Sequence, residues 1–148
     1  MLGFLPLALA MALSGCVVLE PRPCPAIAAA PFVTIEVPTQ DAESITALWA
    51  RACQGTNCRE DRLELLPADP YGDPGQPRVA HLDMGVLTEE QIALTVRVME
   101  SSTTGRPGPT ALHRLDFTPI AEYPFGEHCG KFIRAVVVLD SQGLHAKP

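Results

Sequence analysis

What most restricts the fold of this chain is the shortness of its apolar runs and the regularity with which turn residues cut them. Phe32-Val33-Thr34-Ile35-Glu36-Val37 alternates until Pro38 stops it, and residues 62–66 alternate up to Pro67. In residues 78–84, Val79, His81 and Asp83 fall on one face, with Ala80, Leu82 and Met84 on the other. The clearest half-buried strand sets Ile92, Leu94, Val96 and Val98 against Ala93, Thr95, Arg97 and Met99. Leu115 and Phe117 continue the habit to Pro119, and residues 131–139 are rich in valine and isoleucine. The intervening tracts Asp69-Pro70-Tyr71-Gly72-Asp73-Pro74-Gly75, Gly105-Arg106-Pro107-Gly108-Pro109 and Asp140-Ser141-Gln142-Gly143 carry strong turn chemistry. At 148 residues a tandem array or a long helical rod is excluded. The short runs predict an all-β, antiparallel sandwich of about seven strands.

One segment supports two patterns. Asp41 can cap a helix in which Ile45, Leu48, Trp49 and Ala52 share a face, or the segment is a strand with Ile45, Ala47, Trp49, Arg51 and Cys53 on one side. The strand is preferred, because Cys53 and Cys58 flank a short polar turn, Gln54-Gly55-Thr56-Asn57, that suits a hairpin. Trp49, the single tryptophan, is then expected in the core near a disulfide. Thr88-Glu89-Glu90-Gln91 has the form of a capping box, but the alternation after it predicts a brief turn into a strand.

The N-terminus carries an address. Residues 1–19 include no charged side chain, and an apolar stretch runs into Leu13-Ser14-Gly15-Cys16. That order, an aliphatic residue, two small residues and a cysteine, resembles the bacterial lipobox, in which small residues admit a peptidase and the cysteine thiol takes up diacylglycerol. Residues 1–15 are therefore read as a lipoprotein signal peptide and Cys16 as the lipidation site. The rival, an uncleaved membrane span, is disfavoured by Pro6 and the Ser14-Gly15 pair. Residues 16–31, with Pro21, Pro23, Pro25, Pro31 and an alanine run, form a semi-rigid tether, and residues 32–148 the domain. This address is the outer face of the bacterial cell membrane.

With Cys16 lipidated, Cys24, Cys53, Cys58 and Cys129 remain, which in an oxidising compartment reads as two disulfides. The hairpin pairs Cys53 with Cys58, and elimination pairs Cys24 with Cys129.

Few chemical functions survive. A net charge of −6 with only Lys131 and Lys147 as lysines leaves no footprint for nucleic acid or an anionic surface. There is no Gly-x-Ser-x-Gly elbow, no phosphate-cradling loop and no calcium loop, and Ser101-Ser102 opens a Gly/Pro tract. The acidic pairs Glu89-Glu90 and Asp69/Asp73 read as solvated groups. No enzyme and no cofactor are expected. The metal alternative, copper or zinc handled by His81, His128, Met84 and Met99, competes with ordinary strand packing of the methionines and surface placement of the histidines.

The tract Ala50-Arg51-Ala52-Cys53 to Cys58-Arg59-Glu60, the alternating strand at 93–98, Tyr123-Pro124-Phe125-Gly126-Glu127-His128-Cys129 and the terminal Val136-Val137-Val138-Leu139-Asp140 resemble a group of uncharacterised actinobacterial lipoproteins. The likeness spans most of the mature chain and implies an Ig-like sandwich. It transfers no catalytic residue. The expected function is that of a lipid-anchored binding or envelope-accessory module, meeting an envelope protein or glycan through Tyr71 on one loop and Tyr123, Phe125 and His128 on another.

Overall fold

The computed structural model describes residues 23–26, 29–101 and 111–148. Residues 1–15, expected to be a signal peptide, together with Cys16, Ser102 and the Gly105-Arg106-Pro107-Gly108-Pro109 tract, lie outside the described residues.

Seven strands of six residues or more carry the architecture: β1 (Phe32–Val37), β2 (Ile45–Gln54), β3 (Asn57–Leu63), β5 (Arg78–Asp83), β6 (Ile92–Glu100), β7 (Leu112–Phe117) and β9 (Phe132–Asp140). Three shorter ones, β4 (Leu66–Pro67), β8 (Ile120–Glu122) and β10 (Gly143–Ala146), bring the described total to ten. Pairings of two to four residues are too brief for alternation to reveal, so the expected count matches only the long strands. The helical content described is small: α1 (Thr39–Ala42) and one 3-10 turn (Glu127–Cys129).

The strands form two sheets. One has the order β10-β9-β1-β5-β4, with β8 also paired to β9, and the other the order β3-β2-β6-β7. Both turn their apolar faces onto one core that includes Val33, Ile35, Val37, Leu82, Met84 and Val137 from the first sheet and Leu48, Ile92, Leu94, Val96 and Phe117 from the second. The period-two pattern of residues 92–98 is realised: Ile92, Leu94, Val96 and Val98 are buried while Ala93 and Arg97 face solvent.

Two expectations need correction. The sheet is not wholly antiparallel, because β1 pairs with β9 in parallel, Val33 opposite Ala135 through Glu36 opposite Val138. The alternation pattern marks strands but carries no direction. Trp49 is not in the core; it sits on the outer face of β2, 38% exposed, with Nε1 donating to Glu60 Oε1 at 2.7 Å. The cause is an irregularity in the β2–β6 register between Ile45 and Ala47, after which Ala47 and Leu48 are both buried. One residue out of phase exchanges every later side chain between faces, so Leu48, Ala50 and Ala52 fill the core and Trp49 and Arg51 are exposed.

The registers define two ends. Pro31, the start of β1, the β2–β3 hairpin, residues 84–90 and the start of β9 lie at one end, where residues 29–31 of the expected tether lead in. The end of β1, α1, the start of β2 and the loop before β5 lie at the other. At a strand rise of about 3.3 Å per residue, β1 alone separates them by roughly 17 Å.

Candidate functional site

The tether end is cross-linked twice. Cys24 bonds to Cys129 with a Cα separation of 5.3 Å, and Cys53 bonds to Cys58 across the hairpin with a Cα separation of 4.1 Å. Gly55, at φ 57°, is the first of two turn residues between β2 and β3, the place that a type II′ turn reserves for glycine. The turn is therefore shorter than the polar tetrapeptide suggests, and its outer members become ladder residues. Gln54, the sole buried polar residue described, faces inward at 5% exposure. Its Nε2 donates to the carbonyls of Thr88 and Glu90 at 2.9 and 2.6 Å, and its Oε1 accepts from the Thr88 amide at 2.9 Å. Asn57 Nδ2 donates to the carbonyls of Met84 and Val86 at 3.1 and 3.2 Å. These two amides stand in for the strand that residues 84–90 lack. Each bond satisfies backbone groups that would otherwise be costly to bury. They also border an open hollow of about 390 Å³ that Arg59, Val86 and Glu90 help to line.

Beside it, Tyr123-Pro124-Phe125-Gly126 closes a turn through the Gly126 amide and Tyr123 carbonyl at 3.0 Å. Phe125 meets Phe132 edge to face, centroids 6.0 Å apart. Tyr123 and Phe125 keep somewhat under half of their surface exposed. Lys131 pairs with Glu89, and the hydrogen bond to that carboxylate is the main reason its pKa lies above the ordinary lysine value.

The far end is built without cross-links among the described residues. Tyr71 tops residues 68–77 and is 98% exposed. Asp69 Oδ1 accepts from the Tyr71 amide at 2.9 Å, Asp73 Oδ1 from the Gly75 amide at 3.0 Å, and Thr39 Oγ1 donates to the Gln76 carbonyl at 2.6 Å. The loop thus has a defined backbone, with Asx turns using the two aspartates read as solvated acids. Gly72 is packed so closely that a Cβ there would stand 2.9 Å from Asp69 Cβ. A cavity of about 270 Å³ lies under the loop, between Pro70, Asp73, Gln76 and Arg78.

Tyr123, Phe125 and His128 are therefore brought together, and Tyr71 is not among them. The two loops are at opposite ends and cannot grip one compact ligand. The metal set does not assemble: Met84 is fully buried, whereas His81 faces solvent from the opposite side of its strand, against Phe32 and 3.1 Å from Thr34 Oγ1. His128 lies near the Cys24 and Cys129 sulfurs, within 4.8 Å, but those sulfurs are bonded to each other. Sequence reading missed Gln54 and Asn57. Their only signal was two amide side chains bracketing the turn of a cysteine-flanked hairpin.

Two disulfides suit an oxidising, extracytoplasmic compartment. Among the described residues no helix is long and apolar enough to cross a membrane. Comparison with protein-family models, with curated proteins and with solved structures finds no match.

Proposed function

We propose that this chain is a lipid-anchored protein of the outer face of a bacterial cell membrane, acting by binding and not by catalysis, with its recognition loop at residues 68–77. The observation that carries the reading is the placement of Tyr71: almost wholly exposed, on a loop already ordered by two Asx turns, at the end opposite the tether. An ordered loop loses little conformational freedom on binding, and a tyrosine offers a large amphipathic surface at low entropic cost. The partner is an envelope protein or glycan that approaches from outside. An Ig-like scaffold, as the actinobacterial resemblance implies, gives such a loop rigid support.

Two experiments test this. Labelled palmitate should be incorporated by the chain expressed in a bacterium and lost in Cys16→Ser; an unlabelled wild-type product refutes the anchor. A photo-reactive phenylalanine at position 71 should give a discrete adduct on intact cells, and the same group at position 49 should not. Equal labelling from both positions, or none from 71 in a chain that has reached the surface, removes the loop from the function.

A further inference from the structure

We infer that the tether end is a membrane-resting face, held against the lipid headgroups by the Cys24–Cys129 bond. The inference rests on lipidation of Cys16, as proposed above, and adds where the body sits once anchored.

Covalent geometry sets the distance. Eight peptide units join residue 16 to residue 24, so Cys24 can lie no farther than about 29 Å from the lipidated residue, and Cys129, with its Cα 5.3 Å from that of Cys24, no farther than about 34 Å. Without that bond the first described backbone tie between tether and body is at Pro31, whose carbonyl accepts from the Met84 amide at 2.9 Å. Fifteen units then separate it from residue 16, a reach of about 54 Å. The disulfide thus roughly halves the leash. It also fixes its point of attachment, at the corner that carries Phe125 and Tyr123.

That corner has the chemistry of an interfacial surface. Tyr123 is 47% exposed and Phe125 39%, and elsewhere on the same end Val86, at the hollow, is 65% exposed. Phe125 is braced edge to face by Phe132, so the aromatic group is preformed. Tyrosine, apolar along its ring and polar at its tip, suits the headgroup level. Of the nearby ionic groups, Lys131 pairs with Glu89 and Arg134 with Glu122, Glu127 and His128 stand at the turn itself, and Arg59 and Glu90 line the neighbouring hollow. Among the described residues these charges are of mixed sign and form no cationic patch that would draw this end to anionic lipid. A few apolar side chains bind a bilayer weakly when free in solution. A short tether makes the second contact intramolecular and raises its effective concentration to the millimolar range. The occupant is specified as a bilayer because whatever holds residue 16 must lie within reach of this corner. Tyr71, at the other end, then points outward.

Fluorescence depth measurement tests the orientation. The full chain, processed in a bacterial host, is placed in phosphatidylcholine vesicles with brominated acyl chains. Phe125→Trp, Tyr123→Trp and Tyr71→Trp are compared in a Trp49→Phe background. Emission from positions 125 and 123 should be quenched about twofold or more, as expected for an indole at the interface, and emission from 71 should be unchanged. Cys24→Ser/Cys129→Ser with Phe125→Trp should recover most of the lost emission. Equal quenching at 125, 123 and 71, or none at 125 and 123 in a chain that floats with the vesicles, overturns the resting face while leaving the anchor intact. A chain that does not float overturns both, and the fault then lies with Cys16.

Discussion

The two ends of this small body are secured by different means. The tether end has both disulfides, the inward amides of Gln54 and Asn57 and an ionic contact between Lys131 and Glu89. The far end holds its exposed loop with short-range backbone turns and one hydroxyl from α1. The difference teaches that order does not require cross-links. Where a loop must be kept against neighbours distant in sequence, the chain uses covalent bonds and buried amides. Where a loop mainly has to keep its own shape, aspartate and glycine chemistry does most of the holding, with the Thr39 hydroxyl as one contact from a distant segment.

The sharpest way to break this contrast is to remove the bonds separately. Cys24→Ser/Cys129→Ser opens a link spanning 105 residues, and chain entropy alone predicts a loss of nearly 5 kcal/mol. Cys53→Ser/Cys58→Ser opens one spanning five, with an expected loss of about 2 kcal/mol. Urea denaturation of the two variants reads the difference, and equal losses would contradict the entropic account of the tether end.

Gln54→Ala leaves the Thr88 amide and two carbonyls without their side-chain partner. It should cost about 1–3 kcal/mol and raise amide exchange across residues 84–90 specifically. Uniform exchange throughout the chain would mean that Gln54 supports the core and not the loop.

At the far end the effects should be smaller and local. Gly72→Ala forces its new methyl against Asp69 and should cost about 1 kcal/mol, with faster exchange confined to residues 69–76. Tyr71→Ala should change stability by no more than about 0.5 kcal/mol, since an exposed ring supports nothing beneath it. A larger loss would mean that the loop depends on the ring and would weaken its assignment as a presented ligand group.

The smallest effect belongs to Lys131→Met. The Lys131 pKa is raised, chiefly by its hydrogen bond to Glu89, so the contribution is complete below the ordinary lysine value of 10.5 and fades as pH rises through the folded-state value. Because the ammonium is exposed, its removal should not move the denaturation midpoint measurably at neutral pH.

Much of the fold was legible where strands are long. Ile92 to Val98 declares its buried face because the opposing sheet covers that side alone, and the hairpin is written in Cys53, Gly55 and Cys58. The candidate surface was only half legible. Aromatic residues in turn-rich loops could be named, but their distribution between opposite ends depends on strand direction and register, which local alternation does not contain. Trp49 shows the same limit at the scale of one residue, since a register irregularity two positions earlier reversed its face.

By itself the order of amino acids determined what depends on neighbours close along the chain: strand period, turn positions and the pairing of thiols across a tight hairpin. Only the tertiary structure decided that β1 lies parallel to β9, that Trp49 faces outward, and that Tyr71 stands opposite Tyr123 and Phe125. Those outcomes depend on contacts between segments distant in sequence, where packing two sheets onto one core selects a single register, and no local pattern encodes that selection.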